Sequence, residues 1–198
     1  RTQRFFPNIT NRANDAKAVM LSVAIGQGIT ILPESFVKTF NTNDILVLGG
    51  SAMASLPEDI YSLIIEHLKD KNIKVIVDAE RNLLRQVLPY KPYLIKPNRK
   101  ELADACGVAV SEITTKEDVI KYAKQLQETG ARNVLVSLGA DGAVLLLEDG
   151  TVYAKKAPEG ELVDGVGAGN SMIAGFIAGY SEHEDYQKAF DMALAAGC

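Results

Sequence analysis

The sequence predicts an α/β protein with a mostly parallel sheet, helices on both faces of that sheet and an antiparallel edge. From about residue 44 onward, apolar runs alternate with amphipathic stretches, which is typical of β-α-β units. The short Asp-Gly connection within residues 139–142 joins two apolar runs and predicts a hairpin. Glycine-rich and polar segments follow several strands, and ligands of such sheets bind beyond the carboxyl ends of the strands.

The first strand and helix follow from one apolar run and one helix-start signal. Residues 45–48 predict a buried strand that ends in two glycines and Ser51. Ser55 and Glu58, with Pro57 between them, have the spacing of a capping box with proline in the first turn. Apolar residues recur at helical spacing from 60 to 68, so we expect a helix there.

The remaining elements are bounded by proline, glycine and threonine. Strands are predicted at 73–77, 93–95, 133–138 and 143–147, and helices at 99–106 and 116–129. Pro97 stops the third strand, Gly107 and Gly130 end the two helices, and Thr114 or Thr115 caps the second helix. Residues 1–43 show no clean period, although residues 24–28 could form a strand that leads into a turn.

Composition excludes several classes of protein. The 198 residues are 47% apolar and 23% charged, with a net charge of −4 and a pI near 5.3, which argues against a nucleic-acid binder. No apolar run reaches the roughly 18 residues of a membrane span, and no signal peptide is visible. Cys106 and Cys198 have no CxxC spacing, so we expect a cytoplasmic protein without disulfides or zinc. His67 and His183 are expected to be ordinary surface residues.

A glycine-rich segment at 164–171 precedes an apolar stretch of helical character. Glycines admit a ligand close to backbone N–H groups, and a helix N-terminus carries partial positive charge, so the segment predicts a phosphate site. A tight helix–sheet junction is the structural alternative. A dinucleotide fingerprint would need an early strand and a later acidic residue, and a P-loop would need Gly-Lys-Ser/Thr; both fit worse.

Four ordered motifs resemble those of ribokinase-like carbohydrate kinases. Residues 167–176, Gly-Ala-Gly-Asn-Ser-Met-Ile-Ala-Gly-Phe, are similar to the C-terminal GAGDS-x-x-AG-[FL] signature of that family. Residues 48–57 resemble its strand-end loop, 96–102 its KPNxxEL motif and 137–143 its SLGxxGA motif. The Lys-Pro-Asn triplet, Met172 and residues 24–28 look most like 1-phosphofructokinases, with tagatose-6-phosphate kinases as close relatives.

The resemblance implies a three-layer ribokinase-like fold with ATP and Mg²⁺ as cofactors. It implies an anion hole at Gly167, Ala168 and Gly169. Asn98 and Glu101 would hold Mg²⁺, largely through water, and Asn98 also reads as a helix cap. The ATP-bordering residues would be Ser137, Leu138, Gly139, Ala140, Asp141 and Gly142, which without the resemblance would be a plain hairpin turn.

Asn170 departs from the family pattern, because the family has its catalytic aspartate there to accept the proton of the attacking sugar hydroxyl. A carboxamide cannot accept that proton, and loss of a general base costs about 10²–10⁴ in rate. Three explanations stay open: a deliberate change, a naturally impaired relative, or a branch that manages with asparagine because a loose transition state asks little of a base. Gly165 is a second departure, since a small residue such as Ser or Thr is usual there.

The expected activity is transfer of phosphate from ATP to a ketohexose phosphate, most simply fructose 1-phosphate to fructose 1,6-bisphosphate. The alternatives are an impaired protein that only binds nucleotide or sugar phosphate, and an α/β module without ligand. We expect residues 44–198 to be the ATP-binding and catalytic core, truncated at its C-terminus, and residues 1–43 to be a remnant of the lid and substrate region. Because the family's N-terminal sugar-binding motif and most of its lid are absent, the isolated chain should be inactive. The expected partner is a small sugar phosphate, not nucleic acid or membrane, and the family's lid contacts allow a homodimer.

Overall fold

A computed structural model describes residues 45–49, 59–79, 81–158 and 167–197. In this part of the chain six strands form one sheet, and their order across the sheet is their order in the sequence. The strands are β1 Ile45–Gly49, β2 Lys74–Asp78, β3 Leu94–Ile95, β4 Asn133–Ser137, β5 Ala143–Leu146 and β6 Val152–Lys155. The β1–β4 pairs are parallel, whereas β4–β5 and β5–β6 are antiparallel. The predicted parallel sheet with an antiparallel edge is confirmed.

Six α-helices accompany the sheet in the described part of the chain. They are α1 Ile60–Leu68, α2 Arg81–Val87, α3 Arg99–Cys106, α4 Lys116–Glu128, α5 Ala168–His183 and α6 Tyr186–Ala196. The first four lie between the parallel strands in the sequence, as a parallel sheet requires of its crossover connections. None of the described helices is long and apolar enough to cross a membrane.

The helices cover both faces of the sheet, and the alternation of strand side chains sorts them into two cores. Val75 and Val77 of β2 belong to a core with residues of α1 to α4, whereas Ile76 between them belongs to a core with residues of α5 and α6. Strands β3, β4 and β5 divide their side chains in the same way. The molecule therefore has three layers, as predicted.

The predicted elements agree with the observed ones to within one or two residues at each end. Thr115, and not Thr114, caps α4, and Gly107 follows α3 in the left-handed conformation at φ +72°. Helices α2 and α6 and strand β6 were not predicted. The proposed capping box at Ser55, the departure at Gly165 and residues 1–43 lie outside the described residues.

Both histidines and one of the two cysteines lie in the described part of the chain. Cys106 is a half-buried free thiol whose pKa is raised by burial. His67 and His183 are both exposed. Among the described residues, no group of three or more histidine, cysteine or carboxylate side chains could hold a metal ion.

Candidate active site

A cavity of about 350 Å³ lies where the N-terminus of α5 meets the carboxyl ends of β3 and β4. Its walls come from the residues after β3, the turn after β4, the first turns of α5 and the end of α6. They are Asn98, Arg99, Lys100, Ser137, Leu138, Gly139, Gly142, Ala168, Gly169, Met172, Leu194 and Gly197. The volume is within the range of small-molecule sites, about 300–1,000 Å³.

Asn98 begins α3 and fixes the chain that leaves β3. Asn98 Oδ1 accepts a hydrogen bond from the backbone N–H of Glu101 at 2.9 Å, and Glu101 Oε2 accepts one from the backbone N–H of Asn98 at 2.8 Å. This reciprocal pair is a capping box. The backbone N–H of Ser137 donates to the carbonyl oxygen of Pro97 at 3.1 Å, so the same segment is joined to the end of β4. The predicted cap at Asn98 is confirmed.

The turn between β4 and β5 requires glycine at one position and leaves room at another. Gly142 has φ +92°, and a Cβ added there would lie 2.0 Å from the carbonyl oxygen of Lys155 in β6. Gly139 has φ +62°, and an added Cβ would meet nothing within 4 Å. Gly142 is therefore needed for packing inside the hairpin. Gly139, which has no side chain, leaves only backbone at the cavity wall.

An ion pair joins two walls of the cavity. Arg99 Nη2, at the start of α3, lies 2.6 Å from Asp141 Oδ2 in the turn after β4. Their side chains are 31% and 68% exposed, so water screens the interaction, and pairs of this kind contribute no more than about 1 kcal/mol. The pair therefore sets the relative position of two segments more than it stabilises the fold.

The N-terminus of α5 supplies the glycine-rich wall. Gly167 is the N-cap, with φ +85° and no side-chain cap, and Ala168, Gly169 and Asn170 are the first three helical residues. The N–H groups of such residues have no carbonyl partner within their own helix. They carry the positive end of the helix dipole, which favours an anion. Asn170 is half-buried in this turn.

A buried charged pair lies against that helix end. Lys96, which follows β3, is 5% exposed, and its Nζ lies 3.1 Å from Oδ1 of Asp78 at the end of β2. A Cβ added at Gly169 would lie 2.9 Å from Lys96 Nζ and 3.7 Å from Asp78 Oδ2. The glycine thus leaves the space that the lysine head fills.

A tyrosine lies beside the same edge of the sheet, at the end of β1. Tyr61 of α1 donates a hydrogen bond to the carbonyl oxygen of Gly49 at 2.8 Å. Burial, and then the negative charge of Asp78, raise the pKa of Tyr61. The carboxyl ends of three neighbouring parallel strands therefore present polar groups at one edge.

The structure brings most of the predicted site residues to one cavity. Seven line it: Asn98, Ser137, Leu138, Gly139, Gly142, Ala168 and Gly169. The other five do not line it, although each lies within the same capping box, turn or helix end: Glu101, Ala140, Asp141, Gly167 and Asn170. Three charged residues near the cavity had no predicted role, although they stand at strand ends or in a motif: Lys96, Asp78 and Arg99. The α6 contributions, Leu194 and Gly197, were not predicted either.

Comparison with known proteins decides the family. Residues 13–198 match the model of the family described as pfkB family carbohydrate kinase. This chain is a member of the pfkB family.

Relatives with assigned activities agree with that membership. The chain is 40% identical over 178 residues to a 1-phosphofructokinase of Bacillus subtilis, covering 87% of this chain and 57% of the relative. It is 34% identical over 152 residues to a D-tagatose-1-phosphate kinase of Bacillus licheniformis, covering 77% of this chain and 49% of the relative. The predicted link to 1-phosphofructokinases is confirmed, and the tagatose kinase among the relatives, expected as a 6-phosphate kinase, is a D-tagatose-1-phosphate kinase.

The three-layer fold also agrees with a solved structure of a phosphofructokinase. The structure of Escherichia coli phosphofructokinase-2 in complex with fructose 6-phosphate matches with a TM-score of 0.71 and 27% identity, covering 83% of this chain and 53% of that one. The pfkB chain described here thus spans about half the length of the relatives that it matches.

Asn98 and Glu101 could supply only part of the coordination shell of a magnesium ion. Asn98 offers an oxygen atom at the cavity wall and Glu101 offers one in the same capping box, but each also accepts a hydrogen bond from the backbone of the other. Mg²⁺ in phosphoryl-transfer sites is commonly held by one or two protein carboxylates together with substrate phosphates and water. A site in which these two residues supply few ligands is compatible with that pattern.

Proposed function

We propose that the whole protein transfers the terminal phosphoryl group of ATP to a ketohexose phosphate. Fructose 1-phosphate is the first candidate acceptor, with fructose 1,6-bisphosphate and ADP as products. One observation supports this most: a cavity of small-molecule size combines three motif segments of a pfkB chain at the N-terminus of α5. The substrate named for the Bacillus subtilis relative supports the choice of fructose 1-phosphate.

In this reaction, the α5 end of the cavity would have to stabilise most of the negative charge. The attacking hydroxyl oxygen of the sugar forms a bond to the γ-phosphorus, and the bond from that phosphorus to the bridging oxygen of ADP breaks. Negative charge is spread over the phosphoryl oxygens during this step, so positioned N–H groups contribute most of the catalysis. We assign this role to the amides of Ala168 and Gly169, with Gly167 shaping the turn before them.

The remaining walls suit a nucleotide. Leu138, Met172 and Leu194 give an apolar surface for the base, while Gly139 and Gly197 let the ligand approach the backbone closely. Arg99 and Lys100 add positive charge at the cavity wall. This charge would attract the negatively charged phosphates of a nucleotide. Ser137 to Gly142 would thus border ATP, and Asn98 and Glu101 would position Mg²⁺ and its water ligands. The metal would neutralise phosphate charge when bound.

Asn170 supports a second candidate function. A side chain at the third position of α5 is near the proposed phosphoryl site, but a carboxamide cannot take the proton of the sugar hydroxyl. The whole protein would then bind ATP and sugar phosphate with little turnover. A single series of measurements separates the two functions.

The test uses the whole protein and follows ADP release with ATP, Mg²⁺ and each of three acceptors. The acceptors are fructose 1-phosphate, tagatose 1-phosphate and fructose 6-phosphate, chosen from the names of the relatives and of the bound ligand. Rapid turnover with one acceptor supports the kinase and identifies the sugar. Calorimetric binding of ATP without turnover on any acceptor supports the binding protein. Failure to bind ATP would refute both.

A further inference from the structure

The ion pair between Arg99 and Asp141 joins a residue that lines the cavity to one that does not. Arg99 is the first residue of α3 and belongs to the cavity wall, whereas Asp141 lies in the turn between β4 and β5 and is not part of that wall. Arg99 Nη2 lies 2.6 Å from Asp141 Oδ2. The carboxylate of Asp141 therefore engages a cation of the ligand cavity.

A carboxylate and a phosphate are the same kind of partner for a guanidinium group. Both accept charge-assisted hydrogen bonds from the fork of N–H donors that arginine presents. A nucleoside triphosphate carries several negative charges, whereas Asp141 carries one, so Coulomb attraction to Arg99 favours the nucleotide. The two anions would thus compete for one cation.

The exchange of one anion for the other requires little rearrangement of the protein. The side chains of Arg99 and Asp141 are 31% and 68% exposed, so water can solvate the carboxylate once the guanidinium leaves it. The turn that carries Asp141 also has backbone hydrogen bonds of its own. The N–H of Gly142 donates to the carbonyl oxygen of Gly139 at 2.9 Å, and the N–H of Asp141 donates to that of Leu138 at 3.3 Å. The turn therefore does not depend on the ion pair for its shape.

We propose that Arg99 binds a phosphate of the nucleotide, and that Asp141 lowers nucleotide affinity by competing for the same guanidinium. This role rests on the proposed kinase function, whose nucleotide supplies the phosphate. It differs in sign from a positioning role for Asp141. A carboxylate that held Arg99 in place for the ligand would strengthen binding, whereas a competing carboxylate weakens it.

The test compares four variants with the parental whole protein: Arg99→Met, Asp141→Asn, the double variant with both changes, and Glu148→Gln as a control. Methionine removes the charge of arginine, and asparagine keeps the shape of aspartate. Glu148 Oε2 belongs to a second exposed ion pair, 2.9 Å from Arg132 Nη2, with side chains 58% and 47% exposed. Neither residue of this second pair lines the cavity. For each form we would measure the Kd of ATP with Mg²⁺ by calorimetry at low ionic strength, and Tm.

We expect Arg99→Met to weaken ATP binding by about tenfold, since a hydrogen bond to a charged group is lost. Asp141→Asn should tighten ATP binding by about two- to fivefold, the range expected for an exposed ion pair. The double variant should bind ATP like Arg99→Met alone, because no cation is left for Asp141 to compete for. Glu148→Gln should keep the parental Kd. All four variants should keep a Tm near that of the parent, since both pairs are exposed.

Three results would overturn the inference. Weaker ATP binding in Asp141→Asn would show that the carboxylate positions Arg99 and does not compete. Equal tightening by Asp141→Asn with and without Arg99 would show only a loss of repulsion between Asp141 and the phosphates. A parental Kd in Arg99→Met would show that the guanidinium does not bind phosphate.

Failure of the proposed function gives a different pattern. If the parent binds ATP but phosphorylates no sugar, the kinase activity is refuted, and the Kd values still decide whether Arg99 and Asp141 act as proposed. If the parent does not bind ATP, both proposals fall.

Discussion

At the scale of single residues, we expect Asn170 to determine whether the proposed kinase has a general base for the proton of the sugar hydroxyl. It lies in the first turn of α5, half-buried, three residues after the Gly167 cap. An aspartate there would be stabilised by the helix dipole and could accept the hydroxyl proton. In the proposed function, position 170 controls base catalysis, whereas the neighbouring amides bind phosphate.

We therefore expect Asn170→Asp in the whole protein to raise kcat by about a hundredfold or more while the Kd of ATP stays within a few-fold. ADP release measures the first quantity and calorimetry the second. Mass spectrometry of the parent must exclude deamidation of Asn170, because traces of aspartate would imitate weak activity. Equal rates for the two forms would mean that this site works without a carboxylate base.

Gly142 gives a stability prediction with a matched control in the same hairpin region. Both Gly142 and Gly150 have positive φ, +92° and +86°, but only an added Cβ at Gly142 meets backbone, 2.0 Å from the Lys155 carbonyl oxygen. Gly150→Ala should cost about 1–2 kcal/mol of unfolding free energy from its backbone conformation alone. Gly142→Ala should cost clearly more, because β6 must also move.

Urea denaturation of both variants of the whole protein checks this prediction. Equal losses of unfolding free energy would show that the hairpin relaxes without cost. The same two variants also test the predicted ATP site, because Gly142 lines the cavity and Gly150 does not.

Some residue roles were predictable from local sequence and others were not. The cap at Asn98 follows from a pattern within four residues, Asn98 to Glu101, and it was found. The Lys96–Asp78 pair joins residues 18 positions apart through the register of two strands, and local sequence does not determine that register. The same reason hid the contact between Arg99 and Asp141.

At the scale of elements, α3 and α4 both begin with a capping box. Comparing them separates an effect on stability from an effect on function. Asn98 and Thr115 each cap a helix with a capping box, but only Asn98 lines the cavity. Replacement of either by alanine should cost about 1 kcal/mol of unfolding free energy. Only Asn98→Ala should also raise the Mg²⁺ concentration needed for half-maximal activity of the whole protein.

Thermal unfolding and a magnesium titration of activity check both parts of that prediction. If Thr115→Ala alters the magnesium dependence equally, the effect comes from general destabilisation. If Asn98→Ala leaves it unchanged, Asn98 is a cap and no more.

The seam between α5 and α6 depends on glycine in α5. A Cβ added at Gly175 would lie 2.4 Å from the carbonyl oxygen of Met192, and one at Gly179 would lie 2.8 Å from the Cα of Ala189. Glycine to alanine within a helix normally stabilises by about 1 kcal/mol. Here the close approach of the two helices should reverse the sign.

Gly175→Ala in the whole protein should therefore lower the unfolding free energy, by about 1–3 kcal/mol as overpacking typically does. Ala174→Gly, at an exposed position of the same helix, reports the propensity effect alone and should cost about 1 kcal/mol. A gain in stability for Gly175→Ala would mean that the seam can open without loss.

The elements missed by the sequence analysis are short or were hidden by other signals. Helix α2 has seven residues and β6 has four, too few for a clear period, and β6 is only partly buried at the sheet edge. Helix α6 carried a readable signal, since Asp185 caps it and Ala189, Phe190, Ala193 and Leu194 are buried on one face. The acidic residues directly before it are equally typical of an exposed turn.

At the scale of the whole molecule, we propose that the described part of this pfkB chain supplies one side of a reaction between two substrates. Its cavity has the walls expected for a nucleotide, and the chain covers 57% of the Bacillus subtilis relative. We expect the isolated 198 residues to release no ADP above background with any sugar phosphate, whichever residue occupies position 170. The whole protein measured in parallel is the control, and sustained turnover by the isolated chain would contradict this prediction.

The position of α6 at the end of the described residues affects when, during synthesis, the cavity is completed. Leu194 and Gly197 close one side of the cavity, although all six strands and the other wall segments precede them in the sequence. During synthesis, the core on this face of the sheet lacks Phe190 and Leu194 for as long as α6 is still inside the ribosome. A nascent chain thus lacks one wall of the proposed nucleotide pocket until the last described helix has emerged and docked.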